Sequence, residues 1–360
     1  MLHSSRQLLF RALFRTLFRS LFRTSSRCLS FSLGLPMATL MALSSPSIQA
    51  QTPAPTAASY PSRNVTIVVP LAAGTGMDTL VRLYAERLTQ SLGKPVIVEN
   101  RPGAAMMLAS GQVAKAAPDG LTLLVGTSSP MSINNFLYKQ VPYDPERDFV
   151  PISLYVKSPF IFVVNPSLPA RNVSELVKLL RESKVPLSYS TPGAGLAQHL
   201  SMEFMKQKFN LDITHVPYKS SPQSVSDIVA GHVNMAFAEA GLSLPMIRDG
   251  KLRALAVSST ARLPSLPEVP SFAEASGAPD FEAVSWHVLL APAATPREIV
   301  NRLHEEMKRI MAAPDMAQRV VNLGLIPHPT PSIEGVQQYM RAEREKWGAL
   351  VKSLGLTGSQ

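Results

Sequence analysis

VTIVVPLAAGTGMDTLVRLYAERLTQSL, running from Val65 to Leu92, is the stretch whose reading decides the fold. Val65, Ile67, Val68 and Val69 form a short apolar run rich in β-branched side chains, the composition of a buried strand. Pro70 ends it. Ala72, Ala73, Gly74, Thr75 and Gly76 are small enough to let the backbone approach a ligand closely. Asp78 reads as a helix N-cap, and Leu80, Leu83, Tyr84, Leu88 and Leu92 fall on one helical face. Gly93 and Pro95 then stop the helix. A strand, a loop of small residues and a helix N-terminus aim several N–H groups at one point, which is the arrangement of an anion site.

Outward from this stretch the same device recurs. Val96 to Val98 reads as a second strand, and a helix is expected from Ala104 to Ala116. Leu121 to Val125 reads as a third strand, opening into Gly126-Thr127-Ser128-Ser129. Phe149 to Val156 and Phe160 to Val164 are two extended runs split by Ser158-Pro159. Leu187 to Ser190 is a strand that enters Thr191-Pro192-Gly193-Ala194-Gly195, with a periodic helix from Ala197 to Phe209 behind it. Further strands are expected at 213–216, 233–237, 252–258 and 284–290. Thr295-Pro296-Arg297-Glu298 reads as a helix start, with Pro at the first helical position and Glu placed for a capping box. Strands alternating with helices argue for a parallel α/β sheet, in which ligands sit at the carboxyl ends of the strands. The pattern suggests two α/β lobes, with the terminal helices returning to the first.

Charge is unevenly placed along the 360 residues, whose formal net charge is +10. Arg6, Arg11, Arg15, Arg19, Arg23 and Arg27 precede residue 50, where there is no acid. Without those six, 29 basic residues face 25 acidic ones and the net charge falls to +4. No basic run with interleaved aromatics remains, so nucleic acid is excluded as a partner. A basic region repeating Leu-Phe-Arg, an apolar stretch from Cys28 to Leu43 and the small-residue site Ser47-Ile48-Gln49-Ala50 read as a secretory signal peptide over residues 1–50. An organelle transit peptide is the alternative reading. Residues 51–59, with Pro53 and Pro55, form a linker. Cys28 is the only cysteine, so the body of the chain can form no internal disulfide.

The motifs for chemistry are few. Gly74-Thr75-Gly76 lacks the third glycine of a dinucleotide fingerprint, since Thr79 stands there. Gly193-Ala194-Gly195 lacks the Lys-Ser/Thr of a phosphate loop. No G-x-S-x-G elbow and no H-E-x-x-H pair occur, and His199, His215 and His232 read as structural. No catalytic constellation, metal site or cofactor follows from the residues. Asp78 reads equally as a ligand contact or as a cap. Tyr218 and Lys219 lie in a loop beside the expected cleft, with Lys219 a candidate carboxylate partner. Met106 and Met107 read as core.

From Tyr60 to about Gly355 the chain resembles the periplasmic substrate-binding proteins of tripartite tricarboxylate transporters, the Bug-type receptors. The resemblance rests on Val68-Val69-Pro70, on Gly74 with Asp78, on Val98-Glu99-Asn100-Arg101-Pro102-Gly103-Ala104 and on Ala117-Pro118-Asp119-Gly120. Pro142-Tyr143-Asp144-Pro145, Val164-Asn165-Pro166-Ser167-Leu168, Gln198-His199-Leu200, Val216-Pro217-Tyr218-Lys219 and the run from Gly250 to Val257 continue it in order. It implies a two-lobed Venus-flytrap fold, type II-like, with a hinge between two α/β domains. The expected division is 60–157 with 286–355 against 158–285, with crossings near 154–160 and 284–289. It also implies a monomeric, non-enzymatic periplasmic receptor that holds a small organic acid and passes it to membrane transporter subunits. An enzyme or a sensor of the same build is the alternative, the latter with a signalling protein as partner. The expected ligand-binding residues are Ala73, Gly74, Thr75, Gly76 and Asp78, then Thr127, Ser128 and Ser129. In the second lobe they are Gly193, Ala194, Gly195 and Leu196, with Tyr218, Lys219, Ala238 and Glu239. The family usually has glycines where Thr75 and Ala105 to Met107 stand, and polar residues where Ala194, Leu196, Ala197 and Ala238 stand. A ligand less polar than citrate is therefore expected, such as an aromatic or branched monocarboxylate.

Overall fold

The computed structural model describes residues 60–279 and 281–360. The expected signal peptide, the linker and Cys28 lie outside the described residues.

The opening stretch forms β1 (Val65–Val69) and α1 (Gly76–Leu92), closed by Gly93 in the left-handed conformation. β2 (Val96–Asn100) pairs parallel to one side of β1 and β3 (Thr122–Thr127) to the other. Between β2 and β3 the expected single helix is shorter. A 3₁₀ turn over Ala104–Met106 precedes α2 (Met107–Val113), because Ala104 to Met106 all have positive φ and cannot join a right-handed helix. β3 runs through a π-turn (Ser129–Ile133) into the single turn α3 (Asn134–Leu137).

β4 (Phe149–Val164) is one strand of 16 residues, although Ser158-Pro159 reads as a break. The reason lies in its partners. β4 pairs with β9 up to Pro159, and from Phe160 onward with β7. Pro159 thus falls where the strand changes neighbours, the place at which a missing N–H is tolerated. Beyond it come α4 (Val173–Glu182), β5 (Ser188–Thr191), α5 (Ala197–Phe209), β6 (Thr214–Pro217) and α6 (Ser221–Val229). They are followed by β7 (Met235–Glu239), α7 (Ala240–Arg248), β8 (Arg253–Val257) and the short α8 (Phe272–Ser276). The chain returns through β9 (Val284–Pro292), α9 (Arg297–Met311), α10 (Pro314–Asn322), β10 (Ile326–Pro327) and α11 (Ile333–Ser353).

The strands lie in the order β2-β1-β3-β9-β4-β7-β5-β6, with β8 and β10 also on β4. The sheet is mixed rather than parallel. β9 runs antiparallel to β3 and β4, and β4 antiparallel to β7 and β8, because β9 and β4 carry the chain from one half of the sheet to the other. Each half keeps its own parallel group, β2-β1-β3 and β7-β5-β6. Separate apolar clusters fill the two halves. Ile67, Leu80, Leu88 and Ile299 pack together in the first, and Phe162, Tyr189, Phe237 and Phe272 in the second. The start of α9 is a further correction. Pro296 is the N-cap and not the first helical residue, and no side chain caps the helix there. Thr295 Oγ1 is buried without a partner. Among the described residues no helix is long and apolar enough to cross a membrane.

Candidate functional site

Helix N-termini decide the geometry of the site. Gly76, Ala197 and Ala240 are the first residues of α1, α5 and α7, and all three line one narrow cavity of about 30 Å³. The first N–H groups of an α-helix have no partner within the helix. α5 and α7 receive no side-chain bond from their own N-cap residues, Leu196 and Glu239. Three positive helix ends therefore meet around one space, where they favour an anion.

Strands supply the floor. Thr127 on β3 stands opposite His287 on β9, and Ser285 on β9 opposite Ser158 on β4. All four line the cavity. Ser285 and His287 are two residues apart and so share a face of the strand. Ser129 and Gln198 add polar atoms, while Leu71, Met77, Met106, Phe160 and Leu325 supply apolar wall. Among the described residues no lysine or arginine lines this cavity. A second, wider cleft of about 500 Å³ shares Leu71 and Met106 with it. Lys219, Tyr218, Gly193, Leu196 and Ser221, the first residue of α6, lie along this cleft.

The charge state of the inner cavity follows from burial. His287 is 4% exposed, its Nδ1 has no partner, and burial pulls its pKa down to about 3. It is a neutral imidazole at neutral pH. Burial likewise pushes the Glu239 carboxyl above the ordinary range, against a hydrogen bond that Ser221 Oγ donates to it at 2.9 Å. Among the described residues no group of His, Cys, Asp and Glu side chains could hold a metal ion. The arrangement can bind an anion through N–H groups and hydroxyls.

The expected site residues divide into three groups. Gly76, Thr127, Ser129 and Glu239 line the inner cavity, and Gly193, Leu196, Tyr218 and Lys219 the outer cleft. The others shape the loops. Thr75, not Asp78, is the N-cap of α1, and its hydroxyl accepts from the Asp78 N–H at 3.3 Å. Asp78 stands three residues further on, where its carboxylate reaches back to the Gly74 N–H at 2.9 Å. It also accepts from Asn100 Nδ2 at 2.9 Å and Arg82 Nε at 3.1 Å. Burial would raise its pKa, but these donors outweigh that and hold it below the ordinary range. Ala73 is exposed in the turn before Gly74. Ser128 Oγ shares a hydrogen bond of 2.7 Å with Ser285 Oγ. The Ala194 carbonyl accepts from Tyr138 Oη at 2.9 Å, and the Gly195 N–H donates to His199 Nδ1 at 3.2 Å. Ala238 packs in an apolar cluster behind β7. Tyr218 Oη donates to Asp227 at 2.7 Å, and burial together with that carboxylate pushes its pKa up to about 12.

Sequence reasoning passed over Ser158, Gln198, Ser285 and His287, and it placed Met106 in the core. The available signal was polar side chains at alternate positions inside strands that are otherwise apolar.

The model of the tripartite tricarboxylate transporter family receptor matches residues 80–356. The chain belongs to that family. A UPF0065 protein encoded in the tcbD–tcbE intergenic region of Pseudomonas sp. strain P51 is 36% identical over 301 residues, which is 84% of this chain and 89% of that protein. Among solved structures, R. palustris Rpa4515 with adipate superposes with a TM-score of 0.79 at 33% identity, over 83% of this chain and 99% of that one. The periplasmic binding protein BugD superposes with a TM-score of 0.78 at 31% identity, again over 83% and 99%. The fold is that of periplasmic solute-binding proteins of this receptor type, and the matched structures are of binding proteins.

Proposed function

We propose that this receptor captures a small organic acid in the periplasm and delivers it to a tripartite tricarboxylate-type transporter, without acting on it chemically. The observation that carries this reading is the meeting of three helix N-termini, α1, α5 and α7, around one cavity that hydroxyls line and no basic side chain enters. A carboxylate there would be held by N–H groups and hydroxyls rather than by an ion pair. Burial raises the Glu239 pKa, which weakens the opposition of its carboxyl to an anion there. The apolar wall from Leu71, Met77, Phe160 and Leu325 favours an acid with a hydrocarbon body over one as densely charged as citrate. Residues 60–157 with 286–355 and residues 158–285 act as two lobes. The pivot lies in the paired strands β4 and β9, where β4 changes partners after Pro159. Closure would be a hinge motion about those strands.

A thermal-shift screen of the chain from Tyr60 onward against small carboxylates, with sugars and neutral amides as controls, tests the reading. A ligand at a hundred times its Kd should add about 2.7 kcal/mol of stability. That is a rise in Tm of several degrees, at roughly 2–4 °C per kcal/mol. A rise with acids alone supports the reading. Equal shifts with neutral compounds, or citrate as the tightest ligand, would overturn the ligand class.

A further inference from the structure

Three consecutive residues, Ala104 (φ 45°), Ala105 (φ 48°) and Met106 (φ 71°), hold the left-handed conformation that favours glycine. Such strain persists only where the surroundings over-determine it, and here they do. Asn134 Nδ2 donates to the Ala105 carbonyl at 2.9 Å, and Ser110 Oγ to the Met106 carbonyl at 3.0 Å. The Met106 N–H donates to the Gly103 carbonyl at 2.9 Å. The consequence falls on one side chain. Met106 is 6% exposed, Thr127 Oγ1 donates to its sulfur at 3.3 Å, and it lines both the inner cavity and the outer cleft.

We propose that Met106 is the specificity-determining end wall of the inner cavity, a gate that limits the ligand to short-chain carboxylates. This rests on the carboxylate-receptor reading and adds what sets the upper length of the ligand. Every atom that fixes Met106 lies on the chain itself, so the wall is in place before any ligand arrives. A thioether side chain presents an apolar, adaptable surface to a hydrocarbon tail and offers no charge to a second carboxylate. Removing it joins the inner cavity to the cleft lined by Gly103, Ala104 and Ala105. A longer chain then has somewhere to go.

Calorimetric titration of the wild-type chain and of Met106→Ala and Met106→Gly with propionate, butyrate, succinate, adipate and suberate tests this. The wild type should bind the short acids and reject suberate. Both variants should gain roughly tenfold or more for adipate and suberate while keeping the short acids, the scale on which pocket length discriminates. Met106→Leu, which conserves volume, should keep the wild-type cut-off, and Met106→Val, a milder truncation that should also extend the range, serves as the measurement if the smaller variants do not fold. Ala105→Gly relaxes the loop without opening the wall and should leave the cut-off unchanged. Binding of the short acids with the same upper length in all variants overturns the gate and leaves the receptor reading standing. An extended range in Ala105→Gly or Met106→Leu also overturns the gate. If neither wild type nor variants bind any acid, the receptor reading fails and the gate with it.

Discussion

Two of the three loops that bring helix N-termini to the site are built on different principles. The loop from Ala72 to Asp78 is self-contained. Thr75 caps α1, Asp78 ties the loop back to Gly74, and Arg82 and Asn100 fix the carboxylate, all within one half of the sheet. The loop from Thr191 to His199 is not. Its N-cap position holds Leu196, which has no acceptor to offer, and the Ala197 N–H donates instead to Ser129 Oγ at 3.1 Å, from the far side of the cavity. Tyr138 holds the Ala194 carbonyl from the same side. Gly195 comes so near that a Cβ there would lie 2.4 Å from Leu137 Cδ2. One loop draws all these hydrogen bonds from its own half, although Gly76 also packs against Gly241 of α7, where a Cβ would lie 2.8 Å from Gly76 Cα. The other takes hydrogen bonds from across the cavity. If the halves close on a ligand as proposed above, a helix end capped from across the cavity couples its local order to that closure.

Breaking the self-contained loop should cost most. Asp78→Ala removes a carboxylate that is 4% exposed as a residue, leaves the Gly74 N–H without its acceptor and costs Asn100 Nδ2 and Arg82 Nε one bond each. Asn100 Nδ2 keeps the Leu71 carbonyl and Arg82 keeps Asn100 Oδ1. Hydrogen bonds to a charged group contribute about 1.5–3 kcal/mol each in such settings, though not additively, so a loss of about 2–3 kcal/mol is expected in chemical unfolding. The loss should be the same with and without ligand. Ser129→Ala should cost about 1 kcal/mol, the scale of a lost helix cap. That loss should be confined to the closed, liganded form, so it is read as a weaker Kd with little change in the unfolding of the free protein. Equal losses in both forms for Ser129→Ala would remove the distinction between the loops.

The first loop was legible because everything it needs is local. A β-branched run, small residues, a Thr and an Asp three apart and a periodic helix sit within one stretch, and only the identity of the cap was misplaced from Thr75 to Asp78. α7 was not legible: Gly241 and Pro245 interrupt its pattern. The break expected at Ser158-Pro159 failed for a non-local reason, since only the pairing of β4 with β9 and then β7 shows why a proline is harmless there. The floor of the site was hidden likewise. Thr127, Ser158, Ser285 and His287 come from three strands far apart in sequence, and the register alone makes them neighbours. Met106 read as core because methionine is apolar, and its burial in the structure says nothing of which cavities it separates.

Acid should separate the two loops by the order in which they fail, with no effect at neutral pH. Behind the second loop, His199 and His215 stack with ring centroids 4.3 Å apart. His199 Nδ1 receives the Gly195 N–H, and His215 Nε2 lies 2.7 Å from Thr191 Oγ1. Burial pulls both pKa values down, that of His215 to about 4 with the neighbouring His199 adding to the effect. The unfolded imidazoles take up protons near pH 6.5 while the folded ones stay neutral, so the unfolded state binds more protons and stability falls as pH drops from about 6.5 toward 4. Asp78 works in a lower window, because its depressed pKa contributes stability that is lost only as pH falls below about 3.8. His287 adds to the first effect and the raised Glu239 opposes it, but both are shared by wild type and variant. His215→Phe keeps the stack and cannot take a proton. Its Tm should therefore fall less than that of the wild type between pH 7 and pH 4, and parallel curves would mean that the imidazole stack does not set the acid limit of the second loop.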